Sequence, residues 1–169
     1  MRLAPLLLVL LAVLASAAER PFDYPVATPD AHFDAVFTKT TYEESKSEGT
    51  KLAIRDREQK VVFEREITRD VACNAQWTQD CRFLVVTALN GAGHQPWHYH
   101  VYVFSLESRE LRQLDDPEAT PFVSSEIFMK PPHTVILIGH TFEHGFSAPQ
   151  DPLLLRFDMA TLWPKLRKV

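Results

Sequence analysis

Three stretches of the chain read as copies of one unit. They begin at Ala27 (A-T-P-D-A-H-F-D-A-V-F), Trp77 (W-T-Q-D-C-R-F-L-V-V-T) and Phe128 (F-M-K-P-P-H-T-V-I-L-I), 50 and 51 residues apart, with no gap inside the aligned block. Such a period marks a repeat architecture. Each copy is one supersecondary unit that cannot bury its apolar face alone, so neighbouring copies must stack.

Within each unit the runs are short and β-rich. Residues 35–38, 83–88 and 134–138 form one set, and 51–54, 98–106 and 153–157 a second. Residues 61–66 and 111–114 follow brief polar turns. Short runs with turn residues between them predict an all-β chain. The 12 prolines leave little room for long helices. The second unit is the clearest. A strand ends at Trp77, Thr78-Gln79-Asp80-Cys81 turns, and 82–88 is the next strand. A loop through Asn90-Gly91-Ala92-Gly93 leads to a strand at 98–106, a turn at 107–110 and a last strand from Leu111. Leu52-Ala53-Ile54-Arg55 stands 50 residues before Tyr102-Val103-Phe104-Ser105, and Leu155-Arg156-Phe157-Asp158-Met159 takes that place in the third unit, displaced by about two residues.

These residues resemble blades of a TolB-like, WD-repeat-like β-propeller, whose pattern runs roughly W-S-P-D-G, an apolar strand, a loop, an "I-Y-V-x-D-L" strand, a polar turn and a closing L-T. Trp77, Thr78, Asp80, Val101-Tyr102-Val103-Phe104-Ser105-Leu106 and Leu111-Arg112-Gln113-Leu114-Asp115 match, as does Thr28-Pro29-Asp30 in the first unit. Gln79 replaces the proline, Cys81 the glycine, and Pro131 stands where the third unit needs the aspartate. The match is strongest in residues 67–116. The resemblance implies three antiparallel β-meander sheets of propeller-blade type; the alternative is a β-sandwich. It also implies that Asp30 and Asp80 hold turns, and that the loops at 40–49, 90–97 and 141–151 share one face. Propellers close with about 4–8 blades. Three blades therefore suggest either a homodimer, with first and third units meeting, or an open three-sheet stack.

The ends and composition bound the rest. Arg2, the apolar run from Leu3 to Leu14 and the small residues Ala15-Ser16-Ala17-Ala18 read as a signal peptide over 1–18. That apolar run is shorter than the roughly 20 residues of a membrane span, so no stable membrane anchor is expected. Residues 19–169 then form a single all-β domain, periplasmic or secreted. The net charge of −4, with no basic cluster, argues against nucleic acid. Cys73 and Cys81 would enter an oxidising compartment, which favours a disulfide. Against it, Cys73 lies four residues up the strand from Trp77, about 13 Å, so a bridge requires that strand to bend.

Chemistry-bearing residues concentrate in two loops. His94, His98, His100, His140 and His144 lie in or beside them, with Trp97, Phe142 and Phe146. On a strand His98 and His100 point the same way, and His94 or His140 would be a third metal ligand, the open arrangement that zinc or copper takes. His140-Thr141-Phe142-Glu143-His144 spaces two imidazoles at i, i+4, but follows a strand and precedes Gly145, which favours a loop. No nucleophile elbow or phosphate loop occurs, and Ser105, Ser124 and Ser125 have no partner motif. The expectation is a non-enzymatic binding or scaffold module without a cofactor. Trp97, Phe142 and Phe146 would contact an unidentified protein or small molecule. The alternative is a metal-binding protein or metal-dependent enzyme built on the histidines.

Overall fold

The computed structural model describes residues 25–42, 47–67, 70–90, 99–114, 122–140 and 153–169. Twelve strands and one short helix follow in order. The first group is β1 (Val26–Ala27), β2 (Phe33–Tyr42), β3 (Ser47–Asp56) and β4 (Val61–Ile67). The second is β5 (Asp70–Trp77), β6 (Phe83–Asn90), β7 (Tyr99–Ser105) and β8 (Glu110–Leu114). The third is β9 (Phe122–Lys130), β10 (Thr134–His140) and β11 (Leu153–Asp158), then α1 (Met159–Leu162) and β12 (Arg167–Lys168). The fold is all-β. Each group is an antiparallel meander, and none closes into a barrel. The second and third groups are joined between β7 and β9 by the pair Tyr99–Val123, and β12 returns to pair with β8; the three meanders are three sheets.

Side-chain alternation explains why the sheets stack. On β6, Leu84, Val86 and Ala88 face the first sheet, while Phe83 and Val85 face the third. On β7, Tyr102 and Phe104 face one way, Val101 and Val103 the other. The middle sheet is thus buried on both sides, which is why its strands read as nearly continuous apolar runs. Ala35, Phe37, Leu52 and Ile54 close the core against its first face; Ile127, Val135 and Leu137 close the second.

The outer faces differ. On the first sheet Lys51 pairs with Glu64 at 2.8 Å in solvent. On the third sheet Phe128 is 50% and Leu154 73% exposed. Phe128 pairs with Ile136, and Ile138 with Leu154, so these four share one face.

The two turns 50 residues apart are built alike. The Thr28 hydroxyl donates to Asp30 at 2.6 Å, and Asp30 accepts the His32 N–H at 3.0 Å. The Thr78 hydroxyl donates to Asp80 at 2.6 Å, and Asp80 accepts the Arg82 N–H at 3.2 Å. Ala31 and Cys81 hold the left-handed position, φ 55° and 60°. The side-chain bonds supply what a glycine-containing turn would supply by backbone freedom alone. The third hairpin departs from this scheme. Lys130 pairs with Thr134 and Met129 with Val135, so its turn is one residue shorter than the aligned block requires. Hence Met129 takes the inward position, and Phe128 turns out to solvent.

A bridge between Cys73 and Cys81 is not formed. The ladder shifts register at Cys73 itself, but not between Cys73 and the turn. Asn74 to Trp77 stay in register with Thr87 to Leu84, which keeps Cys73 up the strand. Cys73 donates to the Val71 carbonyl at 3.3 Å. Burial pushes the Cys81 thiol up, with the Asp30 and Asp80 carboxylates adding to the shift, so it stays protonated.

The C-terminal segment crosses back to the middle sheet. Asp158 caps α1 by accepting the Thr161 N–H at 2.9 Å. Met159 enters the second core, Trp163 packs 5.8 Å from the Phe83 ring, and β12 pairs with β8. The segment around Trp163 thus covers the outer edge of the middle sheet. Among the described residues no helix is long and apolar enough to cross a membrane. The signal-peptide segment, residues 1–18, lies outside the described residues.

Candidate functional site

Antiparallel connectivity sorts the connections by end. The tight turns at 28–32, 57–60, 78–82, 106–109 and 131–133 lie at one end of the stack. The ends of β2 and β3, of β6 and β7, and of β10 and β11 meet at the other. His94, His98, His144, Trp97, Phe142 and Phe146 lie outside the described residues. His140 ends β10, paired with Phe122. The ladder Tyr99–Val123–Gly139 sets its backbone two strands from β7, roughly 10 Å.

His100 is fully described, and its surroundings are polar by construction. Ala72, Ala88 and His100 lie in one row across β5, β6 and β7. Asp70 stands one step further toward the strand end and only 3% exposed. Its Oδ2 lies 2.6 Å from His100 Nδ1 and accepts the Tyr102 hydroxyl at 2.5 Å. The Tyr102 ring is buried and edge-on to the imidazole at 6.3 Å. A register shift at Cys73 accompanies a side bond: Thr50 Oγ1, from β3, accepts the Ala72 N–H at 2.9 Å. This bond ties the first sheet to the second beside the cluster.

The chemistry follows from these contacts. A buried carboxylate requires partners, because desolvation without them costs several kcal/mol. Asp70 has two. In the neutral ring a carboxylate at Nδ1 favours the proton on Nδ1, which leaves Nε2, on the side away from Asp70, as the acceptor. The imidazole is 27% exposed. A carboxylate-fixed imidazole presenting Nε2 is the arrangement that orients metal-ligating histidines, and it serves equally as a fixed hydrogen-bond acceptor. Among the described residues no group of three His, Cys, Asp or Glu can hold a metal ion. The sequence flags His100 but not Asp70. A lone aspartate opening a strand reads as a turn residue, and only the cross-strand register, 30 residues away, reveals its partner.

A second imidazole works at the opposite end. His133 Nδ1 lies 2.9 Å from Asp80 and Nε2 3.2 Å from Asp158. It joins the turn of the middle sheet to the hairpin and helix cap of the third, beside a backbone bond from Asp80 N–H to the Pro132 carbonyl. Burial alone would push the Asp80 carboxyl up, but the Thr78 hydroxyl, the Arg82 N–H and His133 hold it below its ordinary 3.8. Asp158 is held down by the Thr161 N–H and then by His133. For carboxyls lowered by folding, the stabilisation is complete above the unfolded value and is lost as pH falls through the folded one. Thermal stability is therefore expected to drop below about pH 3.8. Asp80→Asn should start less stable near neutral pH and flatten that acid limb. An unchanged limb in a melting-temperature series would show that Asp80 makes no such contribution.

No family model, curated protein or solved structure matches the chain.

Proposed function

We propose that this chain is an exported, non-enzymatic binding or scaffold module made of three sheets of propeller-blade type. Its contact surface is the strand end that carries His100. Support for the blade reading comes from the two turns with the same hydrogen bonds 50 residues apart. Fold analogy alone names no function. The observation that carries the functional reading is the Asp70–His100–Tyr102 cluster. It fixes a partly exposed imidazole at one end of the stack, while the opposite end is occupied by turn-holding bonds.

The fixed Nε2 favours a second reading, in which zinc or copper binds through His100 together with His94, His98, His140 or His144. One set of measurements separates the two. Metal-free protein is titrated with Zn²⁺, with Cu²⁺ and with a panel of small molecules, following melting temperature. A ligand that binds only the folded state raises it by mass action. Any raising ligand is expected to lose its effect in His100→Ala and keep it in Arg82→Ala, at the opposite end. If the raising ligand is a metal, the second reading holds. If raising ligands act equally on His100→Ala, neither reading survives.

Export is tested by intact mass from the producing cell, which should lack about 17 or 18 residues; a full-length soluble mass contradicts it. A homodimer belongs to the same proposal. The outer face of the first sheet is charged, while that of the third exposes Phe128 and Leu154 among Glu126, Lys130 and Arg156, so the contact is assigned to the third. Sedimentation should show a dimer that Leu154→Glu dissociates, and a monomeric wild type removes the idea.

A further inference from the structure

A cleft of about 160 Å³ opens between β4 and the edge formed by β8 and the C-terminal segment. Its apolar wall is Phe63 and Leu111. Three cations, Arg65, Arg109 and Lys168, line it beside one side-chain carboxylate, Glu110, and the main chain of Val169. That carboxylate is already divided, 2.7 Å from Arg112 and 2.8 Å from Lys168. Arg65 Nη2 donates to the Val169 main-chain oxygen at 2.6 Å, so an oxygen acceptor already rests on this guanidinium. The Arg109 side chain makes no ion pair or hydrogen bond with any other described residue, and Arg109 is not held by the core: it sits exposed on the turn before β8. The cleft thus carries an excess of positive charge on a chain whose net charge is −4.

We propose that this cleft binds a small organic carboxylate with an apolar body. The carboxylate would lie on Arg109, with Arg65 and Lys168 beside it, and the body on Phe63 and Leu111. A planar guanidinium takes a carboxylate in two parallel bonds, which gives direction as well as attraction. A polyanion is disfavoured because the positive charge is confined to one cleft of an acidic protein. The volume is below the roughly 300–1,000 Å³ of drug-sized pockets, which limits the ligand to a few heavy atoms beyond its carboxylate. The site is distinct from the His100 cluster: Leu111 pairs with Phe104, four residues along β7 from His100, about 13 Å.

The test is a titration followed by backbone amide NMR shifts, with sodium benzoate, sodium hexanoate and inorganic phosphate as probes. The proteins are wild type, Arg109→Ala, Arg109→Lys and, as a control, Arg82→Ala. Arg109 sits on an exposed turn at φ 53°, a conformation Ala31 also adopts in this chain, so the alanine variant keeps the fold. Benzoate or hexanoate should shift the Phe63 and Leu111 amides saturably. Arg109→Ala should weaken that binding about tenfold or more, the scale of one lost charge-assisted bond. Arg109→Lys should recover part of it, and Arg82→Ala should match wild type. Absence of saturable shifts with either carboxylate, or equal affinity in wild type and Arg109→Ala, overturns the proposal. Phosphate binding without carboxylate binding overturns it too, because the apolar wall would then contribute nothing.

Discussion

Trp77→Ala is expected to destabilise the fold by about 3–5 kcal/mol, the range for deleting a large aromatic from a core. Trp77 is 6% exposed at the end of β5. Its ring meets Phe104 edge-on with centroids 6.1 Å apart, and Phe104 in turn lies 4.6 Å from Phe63 of the first sheet. Removing the indole opens a cavity in a core that two sheets share. It also removes the Nε1–H bond to the Val26 carbonyl at 2.9 Å, which ties β1 to the middle sheet. Chemical denaturation reads the cost directly. A loss under about 1 kcal/mol would place Trp77 outside the core and undo the stacking described above.

The second large effect belongs to Asp70. Asp70→Ala is expected to cost on the order of 3 kcal/mol, because it leaves the buried Tyr102 hydroxyl without its acceptor and removes two short bonds to a carboxylate. The effect should be coupled. In a Tyr102→Phe background the Asp70→Ala cost should fall by about 1 kcal/mol or more, because the orphaned donor is gone. Additive costs would mean that the Tyr102–Asp70 bond contributes nothing to stability.

Much of the strand layout was legible in the sequence, because short apolar runs between turn residues report local geometry. The run at 98–106 became β7, the run at 82–88 became β6, and Thr78–Asp80 became the turn that joins β5 to β6. What depends on register across strands was not legible. Dropping one residue from the third turn reversed Phe128 and Met129, since side chains alternate with a period of two. The Cys73–Cys81 bridge was favoured by compartment but is not formed, because Asn74 to Trp77 stay in register with β6 and keep Cys73 up the strand. Asp70 went unnoticed because its partners, His100 and Tyr102, are brought to it by β6 and β7 rather than by neighbours in the chain. Of the five histidines singled out, only His100 has a described side chain, and it owes its fixed position to a residue the sequence did not flag.

The central claim is that Asp70 fixes His100 with Nε2 presented outward. Long-range ¹H–¹⁵N NMR of the imidazole at a pH where it is neutral tests this most directly. The account predicts that His100 is held as the Nδ1–H tautomer, and that Asp70→Asn shifts it toward the ordinary tautomer mixture. A wild-type His100 that is mainly Nε2–H, or that already shows the averaged signals of a free imidazole, would contradict the account.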